Sequence, residues 1–427
     1  MTENSDWRAS LEPRIADEIG HIVDQWRDKR GTDITVIPAA NGGIDHMYSE
    51  GEILVREEHL PRVLQVLGQP GREDLERDQP GRVRRVIAGY VLLTLAEPYE
   101  TVAAALDLID QQLGRHIATP NHLLTVAPGQ NGSCPATEPE QVYAGIEPFP
   151  SVCPDGGRGV LVYLADTGLL RDAGQHYWLA GVRVGDEAED LDPKTPMAGS
   201  PPVIPPYAGH GTFVAGVLRS VAPDTDIIVT NAFAVAGSEL ESDLVARLET
   251  ALGLGVDIFH LTIACASRHD LPLLAFGEWL RRLRESKGTI CVAAAGNSSS
   301  RRPSWPAAFG DVIAVGALGS DWRGRASFTN FGPWVDVYAP GRDLVNAFAT
   351  GEYKCYVRPY AGTKREFYGM AKWSGTSFAT PIVSGLIAAR MSRTGENARE
   401  AAAALLAEAR SQAIPGTGPV LLAGRGD

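Results

Sequence analysis

The sequence predicts a doubly wound, mostly parallel α/β sheet over residues 159–420, preceded by a small α+β domain. Three observations carry this. Short, nearly continuous apolar runs recur from Gly159 onward: "GVLVYLADTG", "TDIIVTNAFA", "GVDIFHLTIA", "GTICVAAAGN" and "DVIAVGALG". Such runs suit strands buried on both faces. Helical patterns lie between them, as in "SELESDLVARLETALGLG" and "LPLLAFGEWLRRLRESKG", and this alternation is that of parallel sheets. Upstream, a shorter series reads strand, helix, strand, helix, strand, which suggests two helices on an antiparallel sheet.

The elements come in order. Asp6 to Arg30 reads as a helix, with Leu11, Ile15, Ile19, Ile22, Val23 and Trp26 at helical spacing and Gly31 as its stop. We assign residues 1–50 to an N-terminal helical extension, which either binds a partner or packs on the adjoining domain. Residues 51–128 form the α+β domain. "GEILVREE" is strand-like, "EHLPRVLQVLG" a short helix and "QPGREDLERDQPG" a charged loop. "RVIAGYVLLTLA" is long enough to be a bent or split strand, "PYETVAAALDLIDQQLG" is an amphipathic helix, and "NHLLTVAP" closes the sheet. Residues 129–158, rich in Pro, Gly and Glu, read as a linker.

Composition narrows the function. A chain of 427 residues exceeds one small core, and 44% hydrophobic with 21% charged residues fits a globular protein. A net charge of -13 argues against general nucleic-acid binding. The first thirty residues hold no apolar signal core, and "VIAGYVLLTLA" is too short to span a bilayer, so the expected location is cytoplasmic, with no membrane partner. The five cysteines form no C-x-x-C pair, which disfavours a disulfide framework or a zinc site. Cys265 and Cys291 fall in strand-like runs and read as core thiols. Cys134 and Cys153 could pair only in an exported protein.

In such sheets, sites form at the carboxyl ends of the strands. Four stretches fall there. "YLADTG" ends a strand on Asp166, a loop-capping or a functional carboxylate. "GHGTFVAGVL" puts His210 between glycines at a helix start, either as a cap or as a placed base. "AAAGN" leaves Asn297 just past a strand, where a turn asparagine would also fit. "WSGTSFATP" puts Ser377 at the start of a helix, where free backbone N–H groups favour negative charge. Ser374 reads as a loop hydroxyl.

Together, in this order, the four stretches resemble the subtilisin-like serine proteases (subtilases). "SWPAAFGDVIAVGAL" and "ASFTNFGPWVDVYAPG" extend the resemblance over about Gly159 to Arg393. It implies a subtilisin-like fold and a serine endopeptidase acting on a protein or peptide substrate. It gives Ser377 as nucleophile, His210 as base, Asp166 as the group that orients His210, and the Asn297 amide with the Ser377 N–H as oxyanion donors. The α/β-hydrolase esterases are set aside by chain order, which there is serine, acid, histidine. Thr262, Ile263 and Ala264 of "HLTIACAS" match the strand that pairs with the peptide, although Ala264 and Cys265 stand where glycines are common in the family. Ala294, Ala295 and Gly296 match a wall of the first specificity pocket; all are small, so the expected pocket is apolar and open.

Two inserts, Arg183 to Gly209 and Phe348 to Lys372, read as surface loops or as gates to the cleft. The resemblance also raises calcium, with no ligands identifiable; no other cofactor or metal is expected. Residues 51–128 look like a subtilase propeptide, a domain that packs on the catalytic unit in cis. Without a secretion signal, this suggests an intracellular zymogen or a partner-specific processing protease. A permanent accessory domain is the other reading of that region. The alternative for the whole chain is a catalytically silent binding protein, which the filled site positions disfavour.

Overall fold

The computed structural model describes residues 7–96, 101–126, 136–143, 145–185, 200–233, 235–286 and 288–423. The N-terminal unit begins with helices α1 (Trp7–Ser10) and α2 (Pro13–Arg30). Strands β1 (Ile34–Pro38) and β2 (Ile44–Arg56) come next as an antiparallel pair. Then come α3 (Leu60–Val66), α4 (Arg72–Asp78), β3 (Val83–Ile87), β4 (Tyr90–Thr94), α5 (Val102–Leu113) and β5 (Ala118–Thr125). Residues 34–50 are therefore part of the α+β domain, not of a helical extension. The charged loop holds α4, because Leu75 is buried and the Arg72–Glu76 and Arg77–Asp74 pairs bridge its turns at 2.7 Å. The long apolar run splits at Gly89 into the β3–β4 hairpin.

This sheet has two covered faces. Leu60, Val63, Leu64, Leu106 and Ile109 of α3 and α5 pack on Ile53, Val55, Val91 and Leu93. The opposite face, with Leu54, Leu92 and Leu124, joins a core that includes Leu244, Leu248, Phe276 and Trp279 of the C-terminal unit. The apolar stripe of α2 enters the same core, with Ile15, Ile19 and Ile22 fully buried. Burying three such side chains contributes roughly 5–9 kcal/mol of transfer free energy, enough to fix the helix in place.

The C-terminal unit is the doubly wound sheet. Its chain order is β6 (Leu161–Asp166), β7 (Arg183–Val184), β8 (Val203–Ile204), α6 (His210–Val221), β9 (Asp226–Asn231), β10 (Ser238–Leu240), α7 (Glu241–Ala251), β11 (Ile258–Leu261), α8 (Leu274–Leu283), β12 (Ile290–Ala294), β13 (Val312–Leu318), β14 (Val337–Pro340), β15 (Leu344–Lys354), β16 (Lys364–Trp373), α9 (Thr376–Thr394) and α10 (Ala398–Ser411). Seven strands lie in the order β14-β13-β12-β11-β6-β9-β7, all pairs parallel. The insert before Ser377 forms the β15–β16 hairpin, joined on one side by β8.

Strand β10 leaves this unit and pairs antiparallel with β5, extending the N-terminal sheet into the other half of the molecule. Beyond β5, Thr125 pairs with Ala264, and the Val126 N–H donates to Gly237 O at 2.8 Å. The chain is described again from Ala136, whose N–H donates to Ser374 O at 3.1 Å. The described parts of the linker lie along the hairpin insert, with Glu140 paired to Lys372 and Phe149 to Val345.

Candidate active site

Asp166 is the last residue of β6 and His210 the first of α6, so the ends of adjacent elements bring them together. The Asp166 Oδ1 to His210 Nδ1 distance is 2.6 Å. Gly211 makes this approach possible: a Cβ there would lie 2.3 Å from Gly168 O and 3.1 Å from Asp166 Oδ1. Asp166 accepts two further bonds, from the Thr167 N–H at 2.7 Å and the Thr262 Oγ1 at 2.5 Å. Burial works to raise the Asp166 carboxyl. The charge and hydrogen bond of His210, with the Thr262 and Thr167 donors, outweigh it and hold the carboxyl below its usual range.

Ser377 is the second residue of α9, after Gly375 at the cap. Pro381, four residues on, has no N–H to offer the Ser377 carbonyl. Phe378 and Trp373 pack on the His210 ring, with centroids 5.4 and 5.6 Å away. Asp166 and His210 are fully buried, and Ser377 is 1% exposed. His210 Nε2 and Ser377 Oγ have no hydrogen-bond partner among the described residues. Two buried polar atoms left unpaired are costly, and their place is where chemistry needs a base and a nucleophile. Ser374, by contrast, accepts the Asp343 N–H at 3.0 Å and is part of the loop's framework.

Asn297 lies three residues past the end of β12. Its Oδ1 accepts the Thr376 N–H at 2.9 Å and the Thr376 hydroxyl at 3.0 Å. A backbone N–H can only donate, so the oxygen end of the amide faces Thr376 and the NH2 end is turned away from it.

A profile of the subtilase family matches residues 157–418, more than half of the chain. The chain belongs to the subtilase family. Among curated relatives, the thermophilic serine proteinase of Bacillus sp. (strain AK1) is 34% identical over 51% of this chain and 50% of its own. The intracellular serine protease of Paenibacillus polymyxa is 29% identical over 54% of this chain and 66% of its own. Thermitase of Thermoactinomyces vulgaris is 28% identical over 63% and 87%. The chain thus spans half to two-thirds of the first two relatives' length. A solved cold adapted subtilisin-like serine proteinase aligns with a TM-score of 0.46 at 21% identity, over 64% of this chain and 91% of that one.

The remaining expected site residues separate into groups. Thr262 turns its side chain to Asp166, so its first task in this subtilase is to hold the carboxylate. Ile263 is fully buried, and Ala264 gives both backbone groups to Thr125. Ala294 and Ala295 are buried at the end of β12, with the Ala295 N–H on Val315 O. Gly296 packs against Ser304 and Asn330, which line a cavity of about 60 Å³. The cavity's walls are Ala264 to Ala266 on one side and Ser298, Ser300 and Arg302 to Ser304 on the other. Ile44 to Met47, at the start of β2, cover it. Ala294, Ala295 and Gly296 do not line this cavity; three serines and an arginine from the loop beyond Asn297 do.

Reading by motif missed His260. It is fully buried on β11, with Nδ1 2.9 Å from Ser384 Oγ, and burial pushes it down to about 4. It is a neutral spacer under the site. Cys153, Cys265, Cys291 and Cys355 are free thiols, and burial pushes each of them up; Cys134 lies outside the described residues. Residues 186–199 of the Arg183 to Gly209 insert also lie outside them. Among the described residues no group of three His, Cys, Asp or Glu is arranged to hold a metal, and no helix is long and apolar enough to cross a membrane.

Proposed function

We propose that this subtilase is a serine endopeptidase, made as an intracellular zymogen whose N-terminal domain fills its own cleft. One observation carries the reading. A 2.6 Å Asp166–His210 pair stands beside a helix-start serine, with His210 Nε2 and Ser377 Oγ both buried and unpaired.

In this reading His210 Nε2 removes the Ser377 proton as Oγ attacks the scissile carbonyl carbon. Asp166, kept ionised by its three donors, holds the Nδ1 proton in place and stabilises the imidazolium that forms. The Asn297 NH2 and the Ser377 N–H hold the oxyanion, and each such donor contributes about 3 kcal/mol to the transition state. His210 then protonates the leaving amine, and a water repeats the sequence on the acyl-enzyme.

The zymogen reading is supported by the Thr125–Ala264 pairing, which is how a substrate strand would lie, and by the full burial of the three reactive side chains. The cytoplasmic setting is supported by the Paenibacillus polymyxa relative, itself named as an intracellular serine protease.

Intact mass over time, with fluorophosphonate labelling, tests this on wild type and Ser377→Ala. The expected result is loss of an N-terminal fragment ending within residues 127–158 in wild type only, with label on Ser377. Label without fragment loss would keep the peptidase and remove the zymogen. No label, in wild type or in a variant with a loosened cleft strand, would reject catalysis.

A further inference from the structure

Arg302 has no part in the mechanism above, yet it lines the same cavity as Ser298, the residue after Asn297. Its guanidinium is held from two sides. Nη2 and Nε lie 2.6 and 2.8 Å from Asp270 Oδ1, and Nη1 lies 2.9 Å from Asp45 Oδ1. The two carboxylates differ in origin. Asp270 belongs to the catalytic unit and stays with Arg302. Asp45 is delivered by β2 of the N-terminal domain, in the same four residues that cover the cavity. Its second oxygen takes His46 Nδ1 at 2.7 Å, and this bond, with the Arg302 charge, outweighs burial and holds the carboxyl below its usual range.

Position links the cavity to the substrate. Of its lining residues, Ala264 is the one against which the β5 extension pairs, and Ser298 directly follows Asn297. A side chain next to the carbonyl that Ser377 attacks falls between these two. With the hairpin gone, the site keeps alanine walls, small hydroxyls and one arginine edge that has lost its carboxylate. A planar guanidinium edge is matched by a carboxylate, and an arginine left partly desolvated favours a ligand that replaces the lost partner.

We propose that Arg302 selects substrates with an acidic side chain, Asp or Glu, at the residue before the scissile bond, and that Asp45 is its internal stand-in. This rests on the peptidase reading and adds the substrate class.

The test uses the full chain and matched peptides carrying Glu, Gln or Leu at that position. Wild type should cleave the Glu peptide with a kcat/KM roughly tenfold or more above the Gln peptide, the margin of a charge-assisted bond. In R302Q the two should come within about twofold, and R302K should keep part of the preference. D45N, which leaves Arg302 in place, should raise kcat/KM for the Glu peptide. A wild type that prefers Leu, a Glu preference that survives in R302Q, or no change in D45N would overturn the proposal.

A second readout needs no turnover. In full-length S377A, hydrogen exchange in the β1–β2 hairpin should rise with the Glu peptide and not with the Gln peptide. Equal effects, or none, would also overturn it. Fluorophosphonate labelling of wild type places no side chain in this cavity, so it reports on the peptidase reading alone.

Discussion

Thr125 and Ala264 exchange both of their backbone hydrogen bonds, at 3.0 Å in each direction. The last strand of the N-terminal domain is thereby joined to the segment that follows β11. On its other side it is held by β10, with Ser238 opposite Thr125. In the proposed zymogen this strand fills the edges that would receive a peptide, and how firmly it stays sets access to Ser377.

Thr125→Pro tests that dependence. Proline removes the N–H that donates to Ala264 O. The loss of one such bond, about 1 kcal/mol, should raise the rate of fluorophosphonate labelling at Ser377 roughly fivefold. An unchanged rate would mean that the strand does not control access.

Thr262→Val removes one of three donors from a fully buried carboxylate. The remaining oxygen keeps its charge and loses its partner, which costs about 1.5–3 kcal/mol of folding stability. Peptide hydrolysis should fall as well, because Asp166 is then less firmly held against His210. Urea unfolding and a rate measurement on the same preparation check both effects. A stable variant with full activity would remove Thr262 from the site.

Asn297 does two things, and two substitutions separate them. Asn297→Asp keeps the oxygen that Thr376 needs and loses the NH2. Asn297→Ala loses both. Each should lower kcat about 100- to 1,000-fold through the missing oxyanion donor. Only Asn297→Ala should also lose about 1–3 kcal/mol of stability, because the buried Thr376 N–H is left unpaired. Equal melting temperatures for the two variants would contradict the Thr376 contact.

The parts of the site that were legible in the sequence are those fixed by local chain geometry. Asp166, His210, Asn297 and Ser377 each sit at the end or start of an element, and small neighbours mark each place. The seven-stranded sheet was legible for a related reason, since strands buried on both faces are apolar along their whole length. Long-range relations were not legible. Nothing local to Ser238–Leu240 says that it will pair with β5, and nothing around Asp45 points to Arg302. Thr262 was read as a substrate contact because its backbone lies on the cleft strand, whereas its hydroxyl turns to the carboxylate of the neighbouring strand. Helix α4 was missed because Gly and Pro at both ends of a charged run read as loop, while one buried leucine and two ion pairs suffice for two turns.

Glu239 predicts how the docked arrangement responds to pH. It lies on β10 opposite Leu124, buried where the N-terminal sheet meets the catalytic unit. Burial is the main cause, with the nearby Asp243 charge, that pushes its carboxyl up to about 7; the Leu240 N–H, Arg30 and Arg247 pull weakly the other way. The unfolded chain binds this proton only below about 4.5. Between these values the folded state holds more protons than the unfolded state, so stability falls as pH rises from about 4.5 through 7. The full cost, about 3 kcal/mol, is then present above pH 7. Glu239→Gln carries no charge to bury, so its melting temperature should drop less than that of wild type between pH 5 and pH 8. The two proteins should converge near pH 5, where the wild-type carboxyl is protonated in the folded state. A variant that tracks wild type across the whole range would show that Glu239 is ionised and solvated in the docked form. The β5–β10 seam would then be open to water.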